Sequence, residues 1–73
     1  MSATAIDIHE WIEDFLHGVP SMHPCGQMHI RDLVGDMHRA ADIGDSDSLA
    51  RCLRRALDRI AHERAMQERH RHA

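Results

Sequence analysis

Histidine and cysteine are the residues of this chain best suited to chemistry, and there are eight histidines in 73 residues. His23, Cys25 and His29 follow one another in a loop-like segment, and imidazole and thiolate are ligands that zinc prefers. Their spacing matches no known zinc finger, and Cys25 and Cys52 lie 27 residues apart with no CxxC pair. The sequence therefore predicts no cofactor. The alternative is a zinc site formed by His23, Cys25 and His29.

Two further interpretations of the histidines stay open beside zinc binding. Imidazole has an unperturbed pKa of about 6.5, so acidification could turn the net charge of the chain from negative to positive. The histidines could instead be polar surface residues that pair locally, as His38 could with Asp42 one helical turn away.

Catalysis would have to rest on Cys25 as a nucleophile, with His23 or His29 as its base. No glycine-rich segment accompanies these residues to stabilise an oxyanion, and a chain this short cannot enclose a substrate pocket. We predict that the protein is not an enzyme.

Helices must position these residues, because strand-forming residues are scarce: two valines, one threonine and no tyrosine. The first helix shows one apolar stripe at helical spacing, formed by Ile8, Trp11, Ile12, Phe15 and Leu16. The sequence predicts an all-α fold with helices at about 5–17, 27–43 and 46–64. The remaining tail, 65–73, is expected to be frayed or to bind a partner.

Proline and glycine mark the boundaries of the helices. Residues 19–26, with two prolines and a glycine, separate the first two helices, and Gly44 separates the last two. Gly35 interrupts the second helix, which favours a close crossing with another helix at that point. The chain is expected to be one domain, a small three-helix bundle.

A domain of 73 residues buries little apolar surface, and two cysteines do not make a disulfide framework. We therefore predict a homodimer that completes the bundle, with Trp11, Ile12, Phe15 and Leu16 at its interface. The sequence shows neither a signal-peptide pattern at its start nor an apolar run long enough to span a bilayer. It is expected to be cytoplasmic and to make no membrane contact.

The charge is divided unevenly along the chain. Residues 1–50 hold nine acids and two arginines, a balance of −7, and residues 51–73 hold seven arginines and three acids, a balance of +4. The two helices of opposite charge could pack as neighbours, or each could meet an oppositely charged partner. The candidate partner-binding residues are Arg51, Arg54, Arg55, Arg59, Arg64, Glu10 and Asp14.

A DNA-binding alternative rests on residues 38–57, HRAADIGDSDSLARCLRRAL. This segment resembles a helix-turn-helix motif, with small residues, a glycine turn and an arginine-containing second helix. Asp45 stands where that motif has an apolar residue, and the negative net charge disfavours non-specific binding to phosphates. Nucleic acid is therefore the less favoured partner.

The layout of three helices resembles the small dimeric regulators of biofilm formation and acid resistance in bacteria. The residues that carry the resemblance are Arg54, Ala56, Leu57 and Asp58 in the third helix and Leu33 and Val34 in the second. Phage- and plasmid-encoded inhibitors of host proteins, including anti-CRISPR and quorum-sensing antiactivator proteins, are similar in size. We expect a small regulatory or inhibitory protein that acts by binding another protein.

Overall fold

The computed structural model describes residues 7–72, which form three α-helices and no strand. Helix α1 spans Ile8–His17, α2 spans Pro24–Ile43 and α3 spans Ser46–His72. The predicted all-α fold is confirmed. No helix within the described range is long and apolar enough to cross a membrane.

Helix α1 begins at Ile8 because the carboxylate of Asp7 accepts a hydrogen bond of 3.0 Å from the backbone amide of His9. It ends at Gly18, whose amide donates to the carbonyl of Asp14 at 3.1 Å. The predicted start of this helix near residue 5 lies outside the described residues. Ile12 points from α1 into the core and is fully buried.

Helix α2 begins at Pro24, three residues before the predicted start at 27. Proline fits the first helical position because the amide that it lacks would have no partner inside the helix there. The Nδ1 atom of His23 caps the helix by accepting from the backbone amide of Cys25 at 3.2 Å. Gly44 ends α2 in the left-handed conformation, with φ of 72°, as its position in the sequence predicts.

Helix α3 begins after Asp45, whose side chain accepts from the amide of Ser48 at 3.1 Å and from its hydroxyl at 2.9 Å. The hydrogen bond from the backbone amide of Ser48, followed by the one from its hydroxyl, lowers the pKa of the Asp45 carboxyl. The helix continues to His72, beyond the predicted end at 64. Residues after 64 lack an apolar stripe but contain no glycine or proline, and Ala, Met, Gln, Glu and Arg favour helix without tertiary contacts.

Helix α2 is the central helix of the fold. Its buried face packs against Ile12 of α1 on one side and against Ala56 of α3 on the other. The buried residues that α2 contributes are Ile30, Leu33, Val34, Met37 and Ala40. Over the described residues, no Cα atom of α1 comes within 8 Å of a Cα atom of α3. The bundle is therefore open between α1 and α3.

The two glycines within α2 have opposite surroundings. A Cβ atom at Gly26 would lie 2.6 Å from Oε1 of Glu63 and 2.9 Å from Sδ of Met22. A Cβ atom at Gly35 would meet nothing within 4 Å. The prediction that Gly35 marks a close helix crossing is wrong, because this residue faces solvent, and the close approach of α3 occurs at Gly26.

We expect Gly35→Ala to raise the free energy of unfolding by about 0.5–1 kcal/mol, since alanine favours helix and nothing obstructs its methyl group. Gly26→Ala should raise it less, because the new methyl group must displace the ends of the Glu63 and Met22 side chains. Urea unfolding followed by circular dichroism measures both variants. Equal stabilisation by the two substitutions would contradict the close approach at Gly26.

Candidate protein-binding groove and histidine cluster

His23, Cys25 and His29, the alternative zinc ligands, are not assembled into a metal site among the described residues. The Nδ1 atom of His23 already accepts the backbone hydrogen bond that caps α2. Cys25 and His29 are exposed on the first turns of the same helix. Among the described residues, no group of three His, Cys, Asp or Glu side chains is arranged to hold a metal ion. Cys52, by contrast, is half-buried against the core, as its place on the α3 stripe predicts.

A different cluster joins α1 to α2 and combines two histidines with two carboxylates. The Nδ1 atoms of His9 and His38 lie 2.7 Å apart, and Nε2 of His38 lies 2.7 Å from Oε2 of Glu13. Nε2 of His9 makes an ion-pair contact of 2.8 Å with Oδ1 of Asp42. The predicted pairing of His38 with Asp42 within one helix is wrong, because each histidine contacts the carboxylate of the other helix.

The two imidazole rings meet edge to edge, with Nδ1 facing Nδ1. Their planes differ by 8° and their centroids are 5.0 Å apart, which exceeds the distance between the two Nδ1 atoms by 2.3 Å. Each Nδ1 atom lies about half a ring width from its own centroid, and the excess equals these two halves together. The two nitrogens therefore lie on the line between the centroids. A zinc ion needs about 2.0–2.1 Å to each nitrogen, and a gap of 2.7 Å is too short to admit it. The gap fits a shared proton.

The four residues predicted for the dimer interface have different environments. Ile12 is 0% exposed and belongs to the core of the single chain, so it cannot also form an interface. Leu16 is half-buried and lines a cavity with Val19 and Ile30 on another side of the molecule. Trp11 is 39% exposed and stacks on the half-buried Phe15, with ring centroids 6.2 Å apart. Trp11 is thus the accessible member of the predicted set.

Trp11 lines the open groove between α1 and α3. Ile8 stands beside it on α1, and the α3 wall is formed by Ser46, Leu49, Ala50 and Leu53. Leu57, which follows Leu53 by one helical turn, continues this apolar wall and is 51% exposed. Within residues 7–72, this surface stays partly uncovered, since Trp11 on α1 is 39% exposed and Ile8 beside it is 37% exposed.

The outer edges of the groove carry opposite charges. On α1, the exposed Asp14 lies one turn after Trp11, and the exposed Glu10 lies one turn before Asp14. On α3, the exposed Arg54 lies one turn before Leu57. Among the described residues, no ion pair joins α1 to α3. The charges of the two helices are therefore not neutralised against each other within the chain.

The remaining arginines of the predicted partner surface divide into separate groups. Arg51 and Arg55 are exposed one turn apart on α3, and Arg51 lines a surface pocket with Arg54 and with Ala50 of the groove. Arg64 is exposed beyond the level of α1. Arg59 is only partly exposed and donates to Glu63 at 3.0 Å, so it stabilises the chain itself. The sequence therefore groups residues that the structure separates.

Comparison of the chain with protein-family models, with curated proteins and with solved structures finds no match. The resemblance to small dimeric regulators thus rests on the layout of the helices, and functional inference depends on the geometry of the chain.

Substitutions of His23 can distinguish its role as the N-cap of α2 from a role in metal binding. His23→Ala should lower the free energy of unfolding by about 1 kcal/mol, and His23→Asn should restore it, because asparagine is a good N-cap residue that does not replace a zinc ligand. His29→Ala serves as the control and should change it by less than about 0.5 kcal/mol. A zinc-dependent rise in melting temperature that both alanine variants lose would contradict the capping assignment.

Proposed function

We propose that this chain is a non-catalytic regulatory or inhibitory protein that acts by protein–protein binding, as a homodimer formed through the groove between α1 and α3. The observation that carries the proposal is the exposed apolar groove with oppositely charged edges. The expected place of action is the cytoplasm, where Cys25 and Cys52 stay as the free thiols that the chain shows.

The size of the chain supports an apolar contact with another subunit. Seven hydrophobic residues form the buried core of the described chain, a small number for a folded domain. Trp11 on the groove, and Leu57 one turn beyond Leu53, nevertheless remain substantially exposed. Oligomerisation is a usual way for chains of this size to gain stability, and aromatic residues are enriched where subunits meet.

Charge complementarity favours another copy of this chain as the second subunit. A two-fold axis parallel to the helices places α1 of one copy against α3 of the other, and the same contact occurs twice. Asp14 of each copy then faces Arg54 of the other, and the two grooves close over each other. A two-fold axis across the helices would bring acidic edge against acidic edge and is disfavoured.

This arrangement can be tested by reversing one charge on each edge. Asp14→Arg and Arg54→Glu should each weaken the homodimer about tenfold, or about 1.4 kcal/mol, because each variant puts like charges on both facing edges. An equimolar mixture of the two variants should recover the affinity, since each edge then meets its opposite. Sedimentation equilibrium measures the three samples.

Two controls make the same charge changes away from the groove: Arg55→Glu on the outward side of α3 and Asp32→Arg on the exposed side of α2. Both controls should dimerise like the wild type. The proposal is wrong if the mixture associates no better than the separate variants, or if the wild type is a folded monomer at micromolar concentration.

Dimerisation leaves the outward stripe of Arg51 and Arg55 free for a further protein with an acidic surface. Guanidinium groups bind carboxylates through two parallel hydrogen bonds, so such a stripe prefers a partner with exposed carboxylates. The double variant Arg51→Glu, Arg55→Glu should stay dimeric. In a pull-down from an extract of the source cells, it should no longer bind the partner protein that the wild type binds. Strongly salt-dependent binding of random duplex DNA by the wild type would instead favour the nucleic-acid alternative.

A further inference from the structure

We infer that His9 and His38 hold one shared proton, and that this proton fastens α1 to α2 in a pH-dependent way. The inference follows from counting the protons that the observed contacts require. It does not depend on the groove or on the proposed dimer.

The carboxylates of Glu13 and Asp42 are acceptors when ionised, so each facing ring nitrogen must carry a hydrogen. Nε2 of His38 therefore donates to Glu13. Nε2 of His9, which lies 2.8 Å from Asp42, also carries a hydrogen, because a lone pair facing a carboxylate at that distance would be repelled. Two of the four ring nitrogens are thus protonated before the contact between the rings is considered.

The contact between the rings needs a third proton. Nδ1 of His9 and Nδ1 of His38 are 2.7 Å apart, a hydrogen-bond distance, so one nitrogen donates while the other accepts. Three protons on four ring nitrogens give the pair one positive charge, whichever ring holds the middle proton. Hydrogen bonds to an ionised group are stronger than neutral ones, which is consistent with the short contact.

The pair loses this contact when it gains or loses a proton. Without the middle proton, two Nδ1 lone pairs face each other. With a fourth proton, two N–H groups face each other across 2.7 Å and two positive rings repel. The attachment of α1 to α2 is therefore strongest with one proton on the pair and weakens towards both acidic and alkaline pH.

Few other charged groups act on this pair. Glu13 faces it from α1 and Asp42 faces it from α2, and both are exposed. Asp45, in the turn before α3, accepts hydrogen bonds from Ser48. Among the described residues, no arginine forms an ion pair with any of the four side chains of the cluster.

Helix α1 is the element that responds to this proton. It has 10 residues, and helices shorter than about 12–15 residues are marginal in water without tertiary contacts. Its apolar attachment to α2 centres on Ile12, and the histidine pair lies at its first turn. Loss of the shared proton, or gain of a second, should loosen the start of α1 first.

Nuclear magnetic resonance on the intact chain tests the inference. In the singly charged state, the ring nitrogens of His9 and His38 should share a strongly deshielded proton that couples to both Nδ1 atoms. The equilibrium constant for opening α1 amides, measured by hydrogen exchange over a pH series, should rise about tenfold on acidification, because a further proton would break the contact between the rings.

The variants His9→Gln and His38→Gln keep a polar side chain that cannot gain a proton. Each should abolish the deshielded signal and the acid response of the α1 amides, whereas His17→Gln, an exposed histidine on the same helix, should retain both. The inference is overturned if α1 opening is independent of pH, or if the response persists in both cluster variants. It is also overturned if micromolar zinc displaces the shared proton.

Discussion

The fold depends on one packing constraint: a single helix, α2, supplies the buried surface against which both other helices pack. Ile30, Leu33, Val34 and Met37 form most of that surface, and α1 and α3 divide it between them. Over the described residues, the Cα atoms of the two outer helices therefore stay more than 8 Å apart, and a groove lies between them. The same constraint thus explains why so small a core coexists with exposed apolar side chains.

Local patterns in the sequence predicted the number of helices, the apolar face of α1 and the turn at Gly44, because each depends on residues close in the chain. They did not predict the start of α2, since Pro24 is equally compatible with a loop and with a first helical turn. Nor did they reveal that Gly26, and not Gly35, accommodates α3, because that contact depends on Glu63 from a distant segment. Nor did they show that Ile12 is buried in the core of the single chain, because that burial depends on α2 residues distant in sequence.

The histidine cluster shows how much of a site a sequence can indicate. His9 and Glu13 are four residues apart on α1, and His38 and Asp42 are four residues apart on α2. This repeated spacing places a histidine and a carboxylate on one face of each helix. It is the feature of the sequence that could have indicated the cluster. The crossed pairing could not be predicted, because it requires the antiparallel packing of α1 on α2. Since α1 also supplies Trp11 to the groove, the protonation of the cluster and the shape of the groove involve the same short helix.

Trp11 gives the most direct test of the central claim that a second copy covers the groove, because it is the sole tryptophan of the chain. Its fluorescence emission should be measured from nanomolar to high micromolar protein, together with the molecular mass from sedimentation equilibrium. The account predicts a shift to shorter wavelength whose midpoint coincides with the change from monomer to dimer mass. Emission that stays constant while the mass doubles, or a mass that remains monomeric throughout, would contradict it.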